Sequence, residues 1–353
     1  MSAAVTWVGR APQPIAAGPH FSLQHARIVR YIEIQFKSGL VAGWPVVAGG
    51  RCGSVGSPRS HDPLSRIYTL PMIYRCWIFV LLAALPAWTQ ARKSIFVITD
   101  AEGVAGVCRQ EQTDPKDAEM RQLLTGEINA AVEGFFAGGA DEVVVWDGHD
   151  GSQTLSALTI HPRAKLIIGG LGVTMTLERG YAGVAFVGQH AKANVRGGIM
   201  AHSYSSLGIQ NMLMNGQPVG ETETRAALAG WFNVPVILLT GDRAATEELR
   251  AIVPQAEVAA VKEGLGRYNC ISMSATAARE LIRESATRAI KKLGQIRPYK
   301  IEGPVTIQIE YTTRNSLSID AGLAPGAEVV DDRTIRYRGK DFMEAWTRSR
   351  ARF

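Results

Sequence analysis

Residues 95–103 read IFVITDAEG: Ile95, Phe96, Val97 and Ile98, then Thr99, Asp100, Ala101, Glu102 and Gly103. A short apolar run rich in β-branched residues that breaks into a polar, glycine-bearing turn is the pattern of a buried strand entering a loop. Open α/β sheets hold their ligands in the crevice outside the carboxyl ends of the strands. Asp100 and Glu102 are therefore expected on that rim. Two carboxylates beside a buried strand repel each other and lose hydration, and a cation between them removes both costs. The alternative is an N-cap Asp followed by a surface Glu, which needs no ligand.

The same arrangement recurs along the chain. Val143 to Trp146 end in Asp147-Gly148-His149-Asp150-Gly151, and Lys165 to Ile168 end in Gly169-Gly170. Gly183 to Val187 run into Gly188-Gln189-His190, and Pro235 to Leu239 end at Thr240-Gly241-Asp242. Met120, Leu123, Leu124, Ile128, Ala131, Val132 and Phe135 stand at helical spacing, which predicts a helix over 117–137 stopped by Gly138-Gly139. Further helices are expected over 224–232, opened by residues 220–223, over 274–293 with Ser274 as cap, and over 341–348. Strands alternating with helices predict an α/β fold: a parallel-rich, mixed sheet with flanking helices. Asn215-Gly216 predicts a hairpin over 209–219. Strands are also expected over 259–261, 305–311 and 334–337. The α/β core is placed at about 93–297, with a smaller α+β subdomain at about 298–348 that the 209–219 hairpin can join.

At 353 residues and 46% hydrophobic, the chain can fill one large core or two smaller ones. Of its 38 basic and 32 acidic side chains, eight and two precede Arg92. The leader therefore carries the whole formal charge of +6, and the remainder is neutral. No nucleic-acid footprint is expected. Met72 to Ala91 has the layout of a secretory signal peptide: Arg75, an apolar core from Trp77 to Leu85, Pro86, and small residues before Arg92-Lys93. That core is too short for a stable membrane span. Export to the periplasm or medium is the expectation. Residues 1–71 show no sustained periodicity and read as a non-native, disordered upstream extension. The body is then 92–353. It keeps two cysteines, Cys108 and Cys270; one disulfide is open to them, and a buried thiol pair is expected.

Only four histidines follow the leader: His149, His161, His190 and His202. His149 and His190 follow strand ends on the rim where Asp100 and Glu102 are expected, and Glu221 stands at a helix start. Taken singly, each has an ordinary explanation: a hydrogen-bonded loop histidine, a first-turn acid, or, for Asp147 and Asp150, turn formers. Taken together, Asp100, Glu102, His149, His190 and Glu221 supply five nitrogen and oxygen donors. That is more than one open tetrahedral zinc site uses, and it suits two metals sharing a bridging carboxylate.

TDAEG followed by Val104-Ala105-Gly106, then DGHDG, GQHAKA, MAHSY and PVGE in that order, resembles the M55 family of zinc D-aminopeptidases, the DppA-like peptidases. The likeness runs from about Lys93 to Arg348 and includes Gly241 to Ala245. It implies two Zn2+ per subunit, with Asp100 bridging them, Glu102 and His149 completing one, and His190 and Glu221 the other. His202 matches the family's catalytic histidine. The resemblance further implies cleavage of short peptides with N-terminal D-amino acids, of D-Ala type, by a water activated between two metals, in a homo-oligomer, a decamer. Two other readings remain open from the residues: another dinuclear amidase or esterase, and an exported peptide-binding protein without chemistry.

Overall fold

The computed structural model describes residues 92–350 apart from 171–172 and 315–324. The signal peptide and upstream extension expected over 1–91 lie outside the described residues. Seven strands form the main sheet: β1 (Ser94–Thr99), β2 (Glu142–Trp146), β3 (Lys165–Ile167), β4 (Gly183–Gln189), β7 (Val236–Asp242), β8 (Glu257–Gly266) and β9 (Asn269–Ser272). They lie in the order β3-β2-β1-β4-β7-β8-β9. All neighbours are parallel except β8 and β9. β1, β4 and β7 are buried throughout, which is why they read as unbroken apolar runs rather than alternating ones.

From β1 the chain steps first to β2 and β3 on one side, then returns to β4 and proceeds to β7 and β8 on the other. The strand order therefore reverses between β1 and β4, and a crevice opens at their carboxyl ends. Right-handed crossovers running in opposite directions from that point place their helices on opposite faces. One face takes α1 (Ala118–Ala137), which packs along α5 (Ala275–Lys291). The other takes α3 (Glu221–Trp231) and α4 (Arg243–Ile252), which pack on each other. A short α2 (Val173–Leu177) precedes β4. Asp117 caps α1 by accepting from the Met120 N–H at 2.7 Å, and Ser274 and Asp242 cap α5 and α4 in the same way.

The second sheet is antiparallel and joins distant segments in the order β11-β12-β10-β5-β6. β5 (Ile209–Met214) and β6 (Gln217–Pro218) form the Asn-Gly hairpin, with Asn215 at φ 50° and Gly216 at φ 80°, the left-handed pair that such a turn requires. β10 (Val305–Tyr311), β11 (Ala327–Val329), β12 (Thr334–Gly339) and α6 (Phe342–Arg350) complete it, and α6 packs on β10 and β12.

Three differences from the sequence reading have local causes. α4 was not expected, because it buries only a narrow stripe, Ala245, Thr246, Glu248 and Leu249. β8 runs well beyond 259–261, because its second half pairs with β9 in a hairpin whose apolar side chains Leu265 and Ile271 face outward. Cys108 and Cys270 are a disulfide rather than a thiol pair, with Cα atoms 6.2 Å apart and a sequence separation of 162. Both are half-buried. The bond ties the loop after β1 to β9. Among the described residues no helix is long and apolar enough to cross a membrane.

Candidate metal centre

The parallel register sets the ends of β1, β2 and β4 level: Ile98 lies beside Trp146 and Phe186. The residues that follow each strand therefore emerge at one rim. Asp100 leaves β1 with its N–H donated to the Val187 carbonyl at 2.9 Å, and Gly103 donates to the Gly188 carbonyl at 2.7 Å. The two loops touch backbone to backbone. Gly188 sits at φ 78°, and a Cβ there would strike the Asp100 carbonyl.

Asp100, Glu102, His149, His190 and Glu221 are all buried and all converge. Asp100 is central. Its Oδ1 lies 3.1 Å from His149 Nδ1 and its Oδ2 lies 3.5 Å from His190 Nε2. Glu102 Oε2 is 3.4 Å from the same His149 nitrogen, and Glu221 Oε1 is 3.8 Å from His190 Nε2. Ligand atoms of Asp100, Glu102 and His190 lie within 4.8 Å of one another, as do those of His190, His202 and Glu221.

Each imidazole is oriented from behind. His149 Nε2–H donates to the Thr113 carbonyl at 2.8 Å, which turns Nδ1 toward Asp100 and Glu102. His190 Nδ1–H donates to the Ala191 carbonyl at 2.8 Å, which turns Nε2 toward Asp100 and Glu221. A backbone carbonyl on the far nitrogen is the usual support of a metal-ligating histidine. His202 donates through Nδ1 to the Met200 carbonyl at 2.9 Å and stacks on the His190 ring with centroids 3.9 Å apart. It is half-buried, where the other five are sealed.

Met200 (φ 48°) and Tyr204 (φ 62°) bracket His202 in the left-handed region, at about 1–3 kcal/mol each. Hydrogen bonds fixed elsewhere hold them there. Met200 N–H donates to the Arg267 carbonyl at 3.0 Å, His202 N–H to the Ala191 carbonyl at 3.2 Å, and Tyr204 N–H to Glu221 Oε1 at 2.7 Å.

The electrostatics show what the cluster lacks. Burial alone would lower both imidazole pKa values. The Asp100 hydrogen bond and the charges of Glu102 and Asp100 override it at His149 and push it up to about 12. The charges of Glu221, Asp100 and Glu102 push His190 up to about 9. Burial raises Asp100, yet the His149 hydrogen bond and the charge of His190 hold it well below the usual carboxylate range. Two carboxylates within 4.8 Å of each other repel by at least roughly 3–4 kcal/mol at an effective dielectric of about 20. Without another cation, the imidazoles must carry the compensating protons. Glu102 Oε2, His190 Nε2 and Glu221 Oε2 are buried with no hydrogen-bond partner. Buried polar atoms left without partners on carboxylates and imidazoles are the condition that divalent ions satisfy.

Several supporting residues are assigned no ligand role by the sequence. Gln189 Nε2 donates to Asp100 Oδ2 at 3.4 Å, and Arg225 Nη1 donates to Gln189 Oε1 at 3.4 Å. Lys192 bridges Glu223 at 2.7 Å and Glu248 at 3.2 Å, pinning the start of α3 beside the loop that carries His190. Asp147 is a turn former: its Oδ2 accepts from the N–H groups of Thr154 and Leu155 at 2.7 and 2.8 Å. His161 lies outside the cluster, near Phe136.

A doubly wound sheet with imidazoles and carboxylates nested at its switch point is the framework of a metal-dependent hydrolase. Residues 94–351 match the sequence model of the M55 peptidases, described as D-aminopeptidase, and the chain belongs to that family. A D-aminopeptidase of Bacillus subtilis (strain 168) is 29% identical over 259 residues, which cover 71% of this chain and 93% of that relative. A solved structure, the Zn-dependent D-aminopeptidase DppA from Bacillus subtilis, described as a self-compartmentalizing protease, is similar with a TM-score of 0.67 and 28% identity, over 72% of this chain and 95% of the other. The chain is a hydrolase of the metallo-aminopeptidase class.

Proposed function

We propose that this chain removes D-amino acids of D-Ala type from the N-terminus of short peptides, using two Zn2+ held by Asp100, Glu102, His149, His190 and Glu221. The observation that carries the reading is the convergence of His149 Nδ1 and His190 Nε2 on the two oxygens of Asp100, with Glu102 Oε2 beside the first nitrogen and Glu221 Oε1 beside the second. Asp100 would be shared, Glu102 with His149 would serve one ion, and Glu221 with His190 the other. Bound there, two divalent ions would supply a water with its pKa lowered toward about 7 and a Lewis acid for the scissile carbonyl.

The protein's own groups do the rest. The Thr113 and Ala191 carbonyls keep the proton on the far nitrogen of each ligating histidine. His202 is assigned the proton transfer. It is the one imidazole of the group that is not sealed, and the Met200 carbonyl fixes its Nδ1–H, which leaves Nε2 to exchange a proton with the reacting groups. His202 also stands within ligand distance of His190 and Glu221, so metal content decides between the two roles. His202→Ala is expected to keep two zinc ions and lose about 10²–10⁴-fold in kcat. Loss of a zinc would make His202 a ligand instead.

Export is part of the proposal. The leader layout supports it, and so does a disulfide beside the site, since such bonds persist in oxidising compartments. Self-assembly into a homo-oligomer is supported by the self-compartmentalizing character of the B. subtilis relative. The test is zinc content of the purified mature protein together with hydrolysis of D-Ala and L-Ala dipeptides. Two zinc equivalents and a D preference support the reading. Metal without peptidase activity would favour another amidase or esterase, and absence of metal a binding protein.

A further inference from the structure

The loop Glu102–Val107 carries one of the site's acids, and its backbone is arranged around a point. Three of its N–H groups are held by other segments: Gly103 by the Gly188 carbonyl, Ala105 by Glu127 Oε1 at 2.8 Å, and Gly106 by Ser272 Oγ at 2.8 Å. The carbonyls of Glu102, Val104 and Val107 turn inward and meet the Nζ of Lys262, with 2.9 Å to Val104. Lys262 comes from β8, two strands away from β4 across the sheet, and is only 3% exposed. Its three N–H bonds have three acceptors and none to spare. Among the described residues it makes no ion pair. Sealing an ammonium away from water is costly, and an apolar side chain of similar length would carry no such cost.

A ring of carbonyls closed on a cation is how proteins hold a monovalent ion, and here the ion is tethered to the sheet. We propose that Lys262 is a positioning residue that fixes the backbone of Glu102 and so aims its carboxylate at Asp100 and His149. The role rests on the assignment of Glu102 as a metal ligand, and Lys262 itself touches neither substrate nor metal. Glu127 and the Cys108–Cys270 disulfide restrain the same loop from other directions, so neutralising Lys262 leaves the fold in place while loosening this one arm.

The experiment compares wild type with Lys262→Gln, which keeps two donors and most of the volume, and Lys262→Met, which keeps only the volume. Two measurements are made on mature protein. The first is amide hydrogen exchange of metal-free protein over the peptide spanning Gly103–Val107 and over α1. The second is zinc affinity for each equivalent, by competition with a chromogenic chelator. Exchange over the loop is expected to accelerate at least tenfold in both variants, with α1 unchanged. One zinc equivalent is expected to weaken by about 10–100-fold, as when groups behind a metal ligand are removed, and the other by less than threefold. Wild-type exchange and wild-type affinity for both equivalents in Lys262→Gln would overturn the proposal. So would equal acceleration in loop and helix, which marks general destabilisation. If wild type itself takes up no zinc, the metal assignment fails separately, and the exchange measurement still decides whether Lys262 holds the loop.

Discussion

Replacing both Cys108 and Cys270 by serine removes the one covalent link between the loop after β1 and β9. The cross-link closes 162 residues. In the chain-entropy treatment a loop of that length restricts the unfolded chain by about 17 cal/mol/K, or about 5 kcal/mol at 25 °C. Domains of this size are stable by roughly 5–15 kcal/mol in total, so the loss is a third or more of what holds the fold. Local packing adds little, because both half-cystines are half-buried and serine fills nearly the same space. The assay is urea unfolding of the metal-free protein, wild type against the double serine variant, followed by far-UV circular dichroism. A drop of about 3–5 kcal/mol is expected, with a larger m-value because the uncrosslinked chain expands further. A non-reducing peptide map should show Cys108 and Cys270 in one cross-linked species. Equal midpoints for the two proteins, with the cross-linked peptide present in wild type, would refute the reasoning, since the bond would then constrain nothing.

Other outcomes follow from the buried charges. In the metal-free protein His149 and His190 are both protonated near neutrality, with pKa values of about 12 and about 9. Zinc uptake at pH 7.5 should therefore release about two protons, read from calorimetry in buffers of different ionisation enthalpy, and no release would contradict the assignment. Both values are raised above the unfolded 6.5, so the stability these groups give the metal-free protein is complete below pH 6.5 and fades as pH climbs through 9. Glu127 is pushed by burial up to about 7. Its neutral form suits the fold, so its contribution holds below pH 4.5 and is lost toward pH 7, on the order of 3 kcal/mol; Glu127→Gln should flatten urea midpoints between pH 5 and 7.5. Gly188→Ala forces a side chain into the left-handed region against the Asp100 carbonyl, and should cost at least about 2 kcal/mol in the same assay.

The parts of the fold legible from residues alone were those with a local cause. β1, β4 and β7 are buried on both faces and so appear as uninterrupted apolar runs, and Asn215-Gly216 announces its hairpin through two positive φ angles. Asp117 and Ser274 mark helix starts because each caps an N–H three residues on. α4, β9 and β11 were not legible. α4 rests on a narrow buried stripe, and each of the two strands is four residues or fewer and stabilised by its neighbour rather than by its own pattern. At the site, Asp100, Glu102, His149 and His190 stood out because each follows a strand end, and Glu221 because it opens a helix. The groups that orient them could not: the Thr113 carbonyl, Gln189 and Lys262 hold His149, Asp100 and the Glu102 carbonyl at sequence distances of 36, 89 and 160 residues.

By itself the sequence determined which segments are buried strands, where each one breaks into polar chemistry, and that the donors are imidazoles and carboxylates rather than thiolates. Those are properties of short windows, set by side-chain period and turn residues. Only the tertiary structure decided that the ends of β1, β2 and β4 stand level at the reversal of strand order, that Cys108 meets Cys270, and that a lysine from β8 closes a ring of carbonyls under Glu102. Register and crossover direction bring distant residues within a few ångströms, and no local window of the chain carries that information.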